Sequence, residues 1–247
     1  MTAVARCPDC GRETPAEASS FGPCPFCLLQ LGLGAQPPSA SAWIDPERSS
    51  YQVLGVLRAG RGATSYLAEQ EAPTRRFVVL TPLDVSLEKP EDRTRIEAAL
   101  LALVAFRHAL VERVFGGLVS GSGAAYLVTE HVPGTPLVPY CEGARADLRR
   151  RAALCRSAAG AIRAAHEHGI VHGALTEESV IVTARRGEPE PVVTGFGAAL
   201  GAAAAMPTAS SDVASLAAVA RLLGLPVPEG LVRTAAALVD SLGDLAV

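Results

Sequence analysis

The order of the secondary-structure patterns after Tyr51 constrains the fold of this chain more than any other feature of the sequence. Three strand patterns come first, then a helix pattern that opens with a proline and two acidic residues, and then two further strand patterns. In chain order these predicted elements are Tyr51–Ala59, Thr64–Gln70, Arg76–Leu83, the helix Pro90–Phe106, Val114–Val119 and Ala124–His131.

After Gly134 the patterns become mainly helical. The predicted elements here are the long helix Ala144–His168, the short strands Val180–Thr183 and Val192–Thr194, and the helices Ser211–Leu223 and Glu229–Leu245. Five strands with one helix, followed by a mainly helical half, are typical of an α+β fold with two lobes. We therefore expect a five-stranded N-terminal lobe and a C-terminal lobe built around the long helix.

The beginning of the chain differs in composition from the rest. Residues 1–32 are rich in turn residues and cysteine, whereas residues 33–50 are rich in Pro, Ser, Ala and Gly, as flexible linkers are. We predict a small N-terminal domain over 1–32, a linker over 33–50 and a larger domain over 51–247. The larger domain is expected to divide into an N-terminal lobe, residues 51–131, and a C-terminal lobe, residues 132–247.

Two C-x-x-C pairs in the small domain predict a structural zinc site. Cys7 and Cys10 are separated from Cys24 and Cys27 by thirteen residues. Two such turns present four thiolates, which is the ligand set of a closed tetrahedral zinc site. A redox motif would need a surrounding βαβ pattern, which is absent from the sequence, and disulfides are disfavoured in a reducing compartment. We therefore expect a zinc ribbon that needs its metal to fold.

Composition and charge argue against several classes of function. The formal net charge is −3, and the acidic residues of the small domain offset its arginines, so neither nucleic acid nor an anionic membrane surface is favoured as a partner. The N-terminus has no apolar run typical of a secretory signal, and no apolar run is long enough to span a bilayer. We expect a cytoplasmic protein.

One segment carries a family resemblance. The stretch GIVHGALTEESVIVTARRGEPEPVVTGFGAAL, beginning at Gly169, is similar to the catalytic loop and metal-binding triplet of protein kinases. The stretch YQVLGVLRAGRGATSYLAEQ, beginning at Tyr51, has the outline of a glycine-rich loop with its flanking strands. From Tyr51 to about Gly224 the chain resembles bacterial serine/threonine protein kinases. A cysteine-marked segment before such a domain also resembles an arrangement found in that family.

The resemblance implies that the residues that perform catalysis have been replaced. Ala174 stands in place of the catalytic aspartate, Ser179 in place of the magnesium-binding asparagine, and Gly195 in place of the aspartate of the D-F-G triplet. Thr81 stands in place of the lysine that binds the α- and β-phosphates. A shifted alignment does not restore them, because the sequence has no asparagine and its only lysine is Lys89.

The same resemblance implies a degenerate nucleotide site. Of the three loop glycines only Gly60 remains, with Arg58 and Ala63 in place of the outer two, and Val79 takes the place of a small alanine beside the adenine. The hinge backbone would come from Glu130, His131 and Val132. We therefore predict that the domain does not bind ATP with magnesium.

The residues that the family uses to hold the fold are kept. These are His172, Phe196 and Asp212, whose carboxylate is expected to bind the backbone of the catalytic loop. The stretch between Gly197 and Asp212 lacks an A-P-E motif and is too short for a normal peptide platform. We therefore interpret the chain as a pseudokinase that acts as a regulatory or protein-interaction module.

The expected partner is another protein, with a true kinase or another signalling component as the candidates. Two alternatives stay open at this point. The first is a weakly active or recently silenced serine/threonine kinase that binds ATP, because Glu177 and Glu178 offer carboxylates near the missing metal ligands. The second is a nucleic-acid-binding protein that uses its zinc ribbon.

Overall fold

The structure is a computed structural model, and it divides the chain into two compact units, residues 1–41 and 42–247. It describes residues 4–6, 13–15, 44, 50–58, 64–72, 74–85, 87, 89–120, 123–185, 187–201, 208–227 and 234–243.

In the first unit, β1 (Val4–Arg6) pairs with β2 (Glu13–Pro15) in antiparallel register, with Arg6 opposite Glu13. The first C-x-x-C pair lies between these strands in the sequence. All four predicted zinc ligands, Cys7, Cys10, Cys24 and Cys27, fall outside the described residues.

The second unit begins with a five-stranded antiparallel sheet. Its strands are β3 (Tyr51–Arg58), β4 (Ser65–Gln70), β5 (Arg76–Leu83), β6 (Val114–Val119) and β7 (Ala125–Glu130). Their order across the sheet is β3-β4-β5-β7-β6, so β5 and β7 are central neighbours. The predicted five-stranded lobe is confirmed, and each strand lies within one residue of its predicted bounds.

Helix α1 (Pro90–Ala105) lies between β5 and β6 in the chain and contacts β6. Its buried residues are Ile96, Leu100 and Leu103, which share one face of a helix of 3.6 residues per turn. Glu97 lies about 200° around the helix from Ala99, the position that the family resemblance assigns to a glutamate.

The C-terminal part is mainly helical around a second small sheet. Its helices are α2 (Leu137–Gly143), α3 (Leu148–Glu167), α4 (Ala209–Leu222) and α5 (Ala235–Gly243). Its strands are β8 (Thr135–Pro136), β9 (Val180–Arg185) and β10 (Glu188–Val193), in the order β10-β9-β8. Two short 3₁₀ helices, Glu177–Ser179 and Ala198–Gly201, precede β9 and follow β10.

The start of the long helix was predicted wrongly. The sequence pattern placed it at Ala144, but Asp147 caps the N-terminus of α3 by accepting a hydrogen bond from the N–H of Arg150 at 2.8 Å. A separate helix, α2, precedes this cap. An aspartate whose side chain binds the first free N–H groups ends the preceding segment and starts a new helix.

The larger core joins α1, the inner face of the sheet and the helices of the C-terminal part. A smaller core lies on the outer face of the sheet and consists of Ala68, Val78, Leu80, Leu118 and Val128. Ile44 packs against this smaller core, and its N–H donates to the carbonyl of Gly117 at 2.6 Å. None of the described helices has the length and apolar character needed to cross a membrane.

Candidate functional site

A cleft of about 450 Å³ separates the five-stranded sheet from the C-terminal part. In chain order its lining residues are Leu57, Arg58, Ser65, Val79, Thr81, Glu112, Leu127, Thr129, Glu130, His131, Val132, Gly134, Pro136, Glu178, Ile181, Thr194, Gly195 and Ala198. The lining combines hydroxyl groups and aliphatic side chains with one guanidinium group and three carboxylates. It is the place where the family resemblance puts a nucleotide.

The structure brings some of the predicted site residues to this cleft and leaves others away from it. Thr81 and Gly195 lie on its wall, as does the predicted hinge, Glu130–Val132. Ala174 is exposed to solvent outside the lining. Gly60, the remaining loop glycine, lies outside the described residues.

Ser179 is buried and its hydroxyl is used locally. The Oγ atom accepts a hydrogen bond from the N–H of Thr176 at 2.9 Å and completes a capping box on the 3₁₀ helix Glu177–Ser179. The carbonyl of Ser179 accepts from the N–H of Thr194 at 2.7 Å. This residue therefore connects the helix to the end of β10.

An arginine from the sheet makes a contact across the cleft. Arg58, the last residue of β3, donates from Nη2 to the carbonyl of Glu178 at 3.1 Å. Its Nε lies 3.5 Å from the Glu178 carboxylate. Because 120 residues separate the partners in the chain, this contact joins the two lobes. Glu178, one of the two carboxylates considered as a metal ligand, is thus already paired.

Glu112 places a buried carboxylate behind the same cleft. Its Oε1 accepts hydrogen bonds from the backbone N–H of Gly195 and, at 3.2 Å, from the N–H of Phe196. The Thr129 hydroxyl is a third partner. Burial raises the pKa of Glu112 to about 7, and the hydrogen bonds and the Arg58 charge oppose the rise only in part. A carboxyl group that is easily protonated therefore holds Gly195, the residue that the family resemblance aligns with the D-F-G aspartate.

His172 holds the same segment from the other side. Its Nε2 lies 2.9 Å from the carbonyl of Thr194, and its Nδ1 accepts from the N–H of Ala174 at 3.3 Å. A carbonyl only accepts, so Nε2 carries the proton and the ring is neutral. Burial lowers the pKa of His172, and its ring packs at 4.6 Å from that of Phe196. The tripeptide Thr194–Phe196 is thus fixed between an imidazole and a carboxylate.

Asp212, on α4, organises the backbone of the loop that follows α3. Its two oxygens accept from the N–H groups of His172 and Gly173, each at 2.8 Å. Its Oδ2 also lies 2.9 Å from Nε2 of His166. Burial alone would raise the pKa of Asp212, but these hydrogen bonds outweigh it and lower the pKa. The predicted role of Asp212 is confirmed.

Two of these residues were not predicted from the sequence as parts of the site. Glu112 sits in the apolar run LVERVF, and an acidic residue in such a run is the signal that could have identified it. Arg58 was identified only as a replaced glycine, and no sequence pattern indicates its contact with Glu178. Among the described residues, no group of three or more His, Cys, Asp or Glu side chains is arranged to hold a metal ion.

Comparison with known proteins identifies the fold. No protein-family profile matches the chain, and no curated protein matches it. The crystal structure of the PknI kinase domain from Mycobacterium tuberculosis aligns with a TM-score of 0.57 and 17% sequence identity, over 79% of this chain and 96% of that domain. A likeness at this identity establishes a fold and not an activity. The second unit of this chain therefore has a protein-kinase-like fold.

Proposed function

We propose that this chain is a pseudokinase, a kinase-like domain that binds another protein and transfers no phosphoryl group. The observation that supports this most strongly is the wall of the cleft. Thr81 and Gly195 line it, and the family resemblance assigns them the positions of the phosphate-binding lysine and the metal-binding aspartate. A hydroxyl does not neutralise phosphate charge, and glycine offers no carboxylate to bind the metal ion, so on this alignment two main electrostatic contributions to phosphoryl transfer are lost.

The contact between Arg58 and Glu178 supports the same proposal. Both side chains line the cleft, and their contact connects the sheet to the C-terminal part across it. The side chains are 33% and 55% exposed, so the pair contributes at most about 1 kcal/mol to stability. Its effect on the cleft is steric and electrostatic. Without a ligand, the pair already connects the glycine-rich loop to the catalytic loop.

We further propose that the small domain is a zinc ribbon with Cys7, Cys10, Cys24 and Cys27 as its ligands. In this view the protein is cytoplasmic, and its partner is a true kinase or another signalling protein. The surface of the folded domain, rather than chemistry in its cleft, carries the function.

The direct test is a thermal unfolding experiment with magnesium and ATP. A ligand that binds only the folded state raises the melting temperature, and at a concentration of about 100 Kd it stabilises the fold by about 2.7 kcal/mol. We expect millimolar Mg·ATP to leave the melting temperature unchanged. A saturable rise with a micromolar midpoint would contradict the proposal.

The variant Arg58→Ala distinguishes a blocked nucleotide site from a lost one. It removes the contact with Glu178 and leaves Thr81 and Gly195 in place. We expect this variant to show no response to Mg·ATP either, since the phosphate and metal anchors are still absent. A rise in melting temperature in Arg58→Ala alone would mean that the cleft is a nucleotide site closed by one side chain, and the proposal would then be wrong.

A further inference from the structure

Three arginines lie near one another beside the hinge residue Glu130: Arg76, Arg107 and Arg113. The guanidinium carbon of Arg76 lies 3.5 Å from the ring centroid of Phe115, and that of Arg113 lies 5.6 Å from the same centroid. Arg107 and Arg113 border one pocket of about 330 Å³ together with His108. We call these three residues the hinge-side arginine cluster.

No ion pair joins the cluster to a carboxylate within the described part of the chain, although the charge of Glu130 acts on Arg76. No carboxylate oxygen there lies within 4 Å of any of the three guanidinium groups, whereas Arg58, Arg95 and Arg163 each have one. The hydrogen bonds of the cluster go to neutral oxygens instead. Nε of Arg76 donates to Oε1 of Gln70 at 2.6 Å. Nη1 of Arg107 donates to the carbonyl of the preceding residue at 2.9 Å.

Two carboxylates border the same pocket, but both are directed to backbone groups. Glu130 accepts a hydrogen bond at Oε2 from the N–H of Arg113 at 3.2 Å. Glu112 accepts at Oε1 from the N–H groups of Gly195 and Phe196. Neither one pairs with a guanidinium group of the cluster. Most of the five N–H donors that each arginine carries are therefore left for a ligand.

Holding these like charges together has an electrostatic cost. Partial burial lowers the pKa of Arg76 and the neighbouring charge of Arg113 adds to this effect, while Tyr51 and the Glu130 carboxylate oppose it. Partial burial and the same neighbour lower the pKa of Arg107. An anionic ligand would offset the repulsion between these positive charges. Planar guanidinium groups bind carboxylates in a two-pronged geometry, and arginine beside an aromatic ring is typical of protein interfaces.

We propose that the hinge-side arginine cluster is a docking surface for an acidic segment of a partner protein, whose Asp and Glu carboxylates it binds. This inference rests on the proposed function, because it names the chemistry of the partner that a non-catalytic module would bind. An acidic segment of a protein fits better than nucleic acid, because three guanidinium groups at one site match a short run of carboxylates, whereas binding a nucleic-acid backbone needs a longer basic face.

The test measures the affinity of the full chain for three labelled probes by fluorescence anisotropy at physiological salt. The probes are a synthetic Glu-rich peptide, the same peptide with Gln in place of Glu, and a single-stranded RNA oligonucleotide. We expect the Glu-rich peptide to bind, the Gln peptide to bind far more weakly, and the RNA to bind no more tightly than the Glu-rich peptide.

The double variant Arg107→Gln with Arg113→Gln is expected to weaken binding of the Glu-rich peptide by about tenfold. The matched control is Arg93→Gln with Arg95→Gln, which removes the same charge from the exposed surface of α1 and is expected to change the affinity by less than about twofold. Melting temperatures equal to that of the wild type establish that the variants fold. If the double variant of the cluster does not fold, the single variant Arg107→Gln is expected to show a smaller loss of affinity for the Glu-rich peptide.

The proposal is overturned if the Glu-rich and Gln peptides bind alike, if both double variants lose affinity equally, or if the RNA binds more tightly. These measurements are made without nucleotide. A rise in melting temperature with Mg·ATP would therefore contradict the proposed function and leave the affinity for the Glu-rich peptide as a separate result.

Discussion

The carboxylate of Asp212 and the backbone N–H of His172 lie 2.8 Å apart, although 40 residues separate them in the chain. Together with Gly173 and His166, they form a buried network that fixes the loop after α3. The network joins the end of α3, this loop and α4, and it therefore supports the fold.

We predict that Asp212→Asn destabilises the protein by about 2–3 kcal/mol. The amide has one accepting oxygen, so one of the N–H groups now directed at Asp212 would face an NH₂ group. The control Asp240→Asn, on an exposed position of α5, should change stability by less than about 0.5 kcal/mol. Urea denaturation followed by circular dichroism measures both.

The pH dependence of this effect has a definite sign. The pKa of Asp212 lies below its ordinary value of 3.8, so its stabilisation is present above that value and is lost as the pH falls below it. The difference between wild type and Asp212→Asn should therefore shrink in strong acid. A difference that stays constant down to the lowest pH at which the protein folds would contradict this account of the network.

Glu112 should give the opposite dependence. Its pKa is raised from 4.5 to about 7, so the folded state binds a proton more readily than the unfolded state between these values. The stability contributed by this group is complete below about 4.5 and is lost as the pH rises through about 7. We predict that Glu112→Gln, which is neutral at every pH, gains stability relative to wild type as the pH rises from 5 to 8, by on the order of 2 kcal/mol.

The matched control is Glu142→Gln, at an exposed position of α2, whose stability difference from wild type should not vary with pH by more than a few tenths of a kcal/mol. Chemical denaturation at several pH values provides the measurement. A pH-independent difference for Glu112→Gln would mean that the carboxylate is ionised in the fold at all of these values.

Repairing the catalytic residues should not restore activity. The variant with Thr81→Lys, Ala174→Asp, Ser179→Asn and Gly195→Asp rebuilds the missing groups in sequence only. Gly195 has a φ of +93°, a conformation that side chains rarely adopt, and its N–H is held by the Glu112 carboxylate. We expect Gly195→Asp alone to cost about 1–3 kcal/mol, while Ala174→Asp, at an exposed position, costs little.

The fourfold variant is expected to transfer no phosphate to generic protein substrates, even if it gains ATP binding. The sequence from Gly197 to Asp212 is expected to be too short for a platform that orients a peptide. Phosphorylation well above that of the unmodified protein in a radiolabelled ATP assay would instead identify a recently silenced enzyme.

The zinc hypothesis predicts one metal ion per chain after dialysis. Cys10→Ser combined with Cys27→Ser should lose it, whereas Cys141→Ala should keep it. Cys141 and Cys155 are buried in the core, and burial raises the pKa of Cys155 to about 12, so it remains a thiol rather than a metal-binding thiolate. Elemental analysis decides the question, and full zinc occupancy in the double variant would rule out these ligands.

Much of the fold could be predicted because the hydrophobic patterns repeat every two or 3.6 residues within single elements. The bounds of β5 and β6 were predicted correctly for this reason. β10 was predicted too short, because Pro189 and Pro191 argue against a strand. It lies at the edge of its sheet, where a missing N–H leaves no partner unpaired.

The residues of the site could be predicted only where a single position of a sequence motif has a single function. Thr81 and Gly195 were identified as cleft residues by alignment to a motif, and both line it. The contact between Arg58 and Glu178 depends on how two lobes meet, and no local pattern encodes it. The same holds for Glu112, whose sequence neighbours indicate a buried strand but not the backbone groups that it binds.

The anchoring of Ile44 also bears on where the kinase-like domain can be cut. The strand patterns begin at Tyr51, yet Ile44 packs against the smaller core on the outer face of the sheet, and its N–H donates to the carbonyl of Gly117. A protein shortened to start at Tyr51 would keep every predicted strand but uncover apolar surface, and it should aggregate more readily than one that starts at Ala42. The practical boundary of the folding unit therefore precedes its first strand.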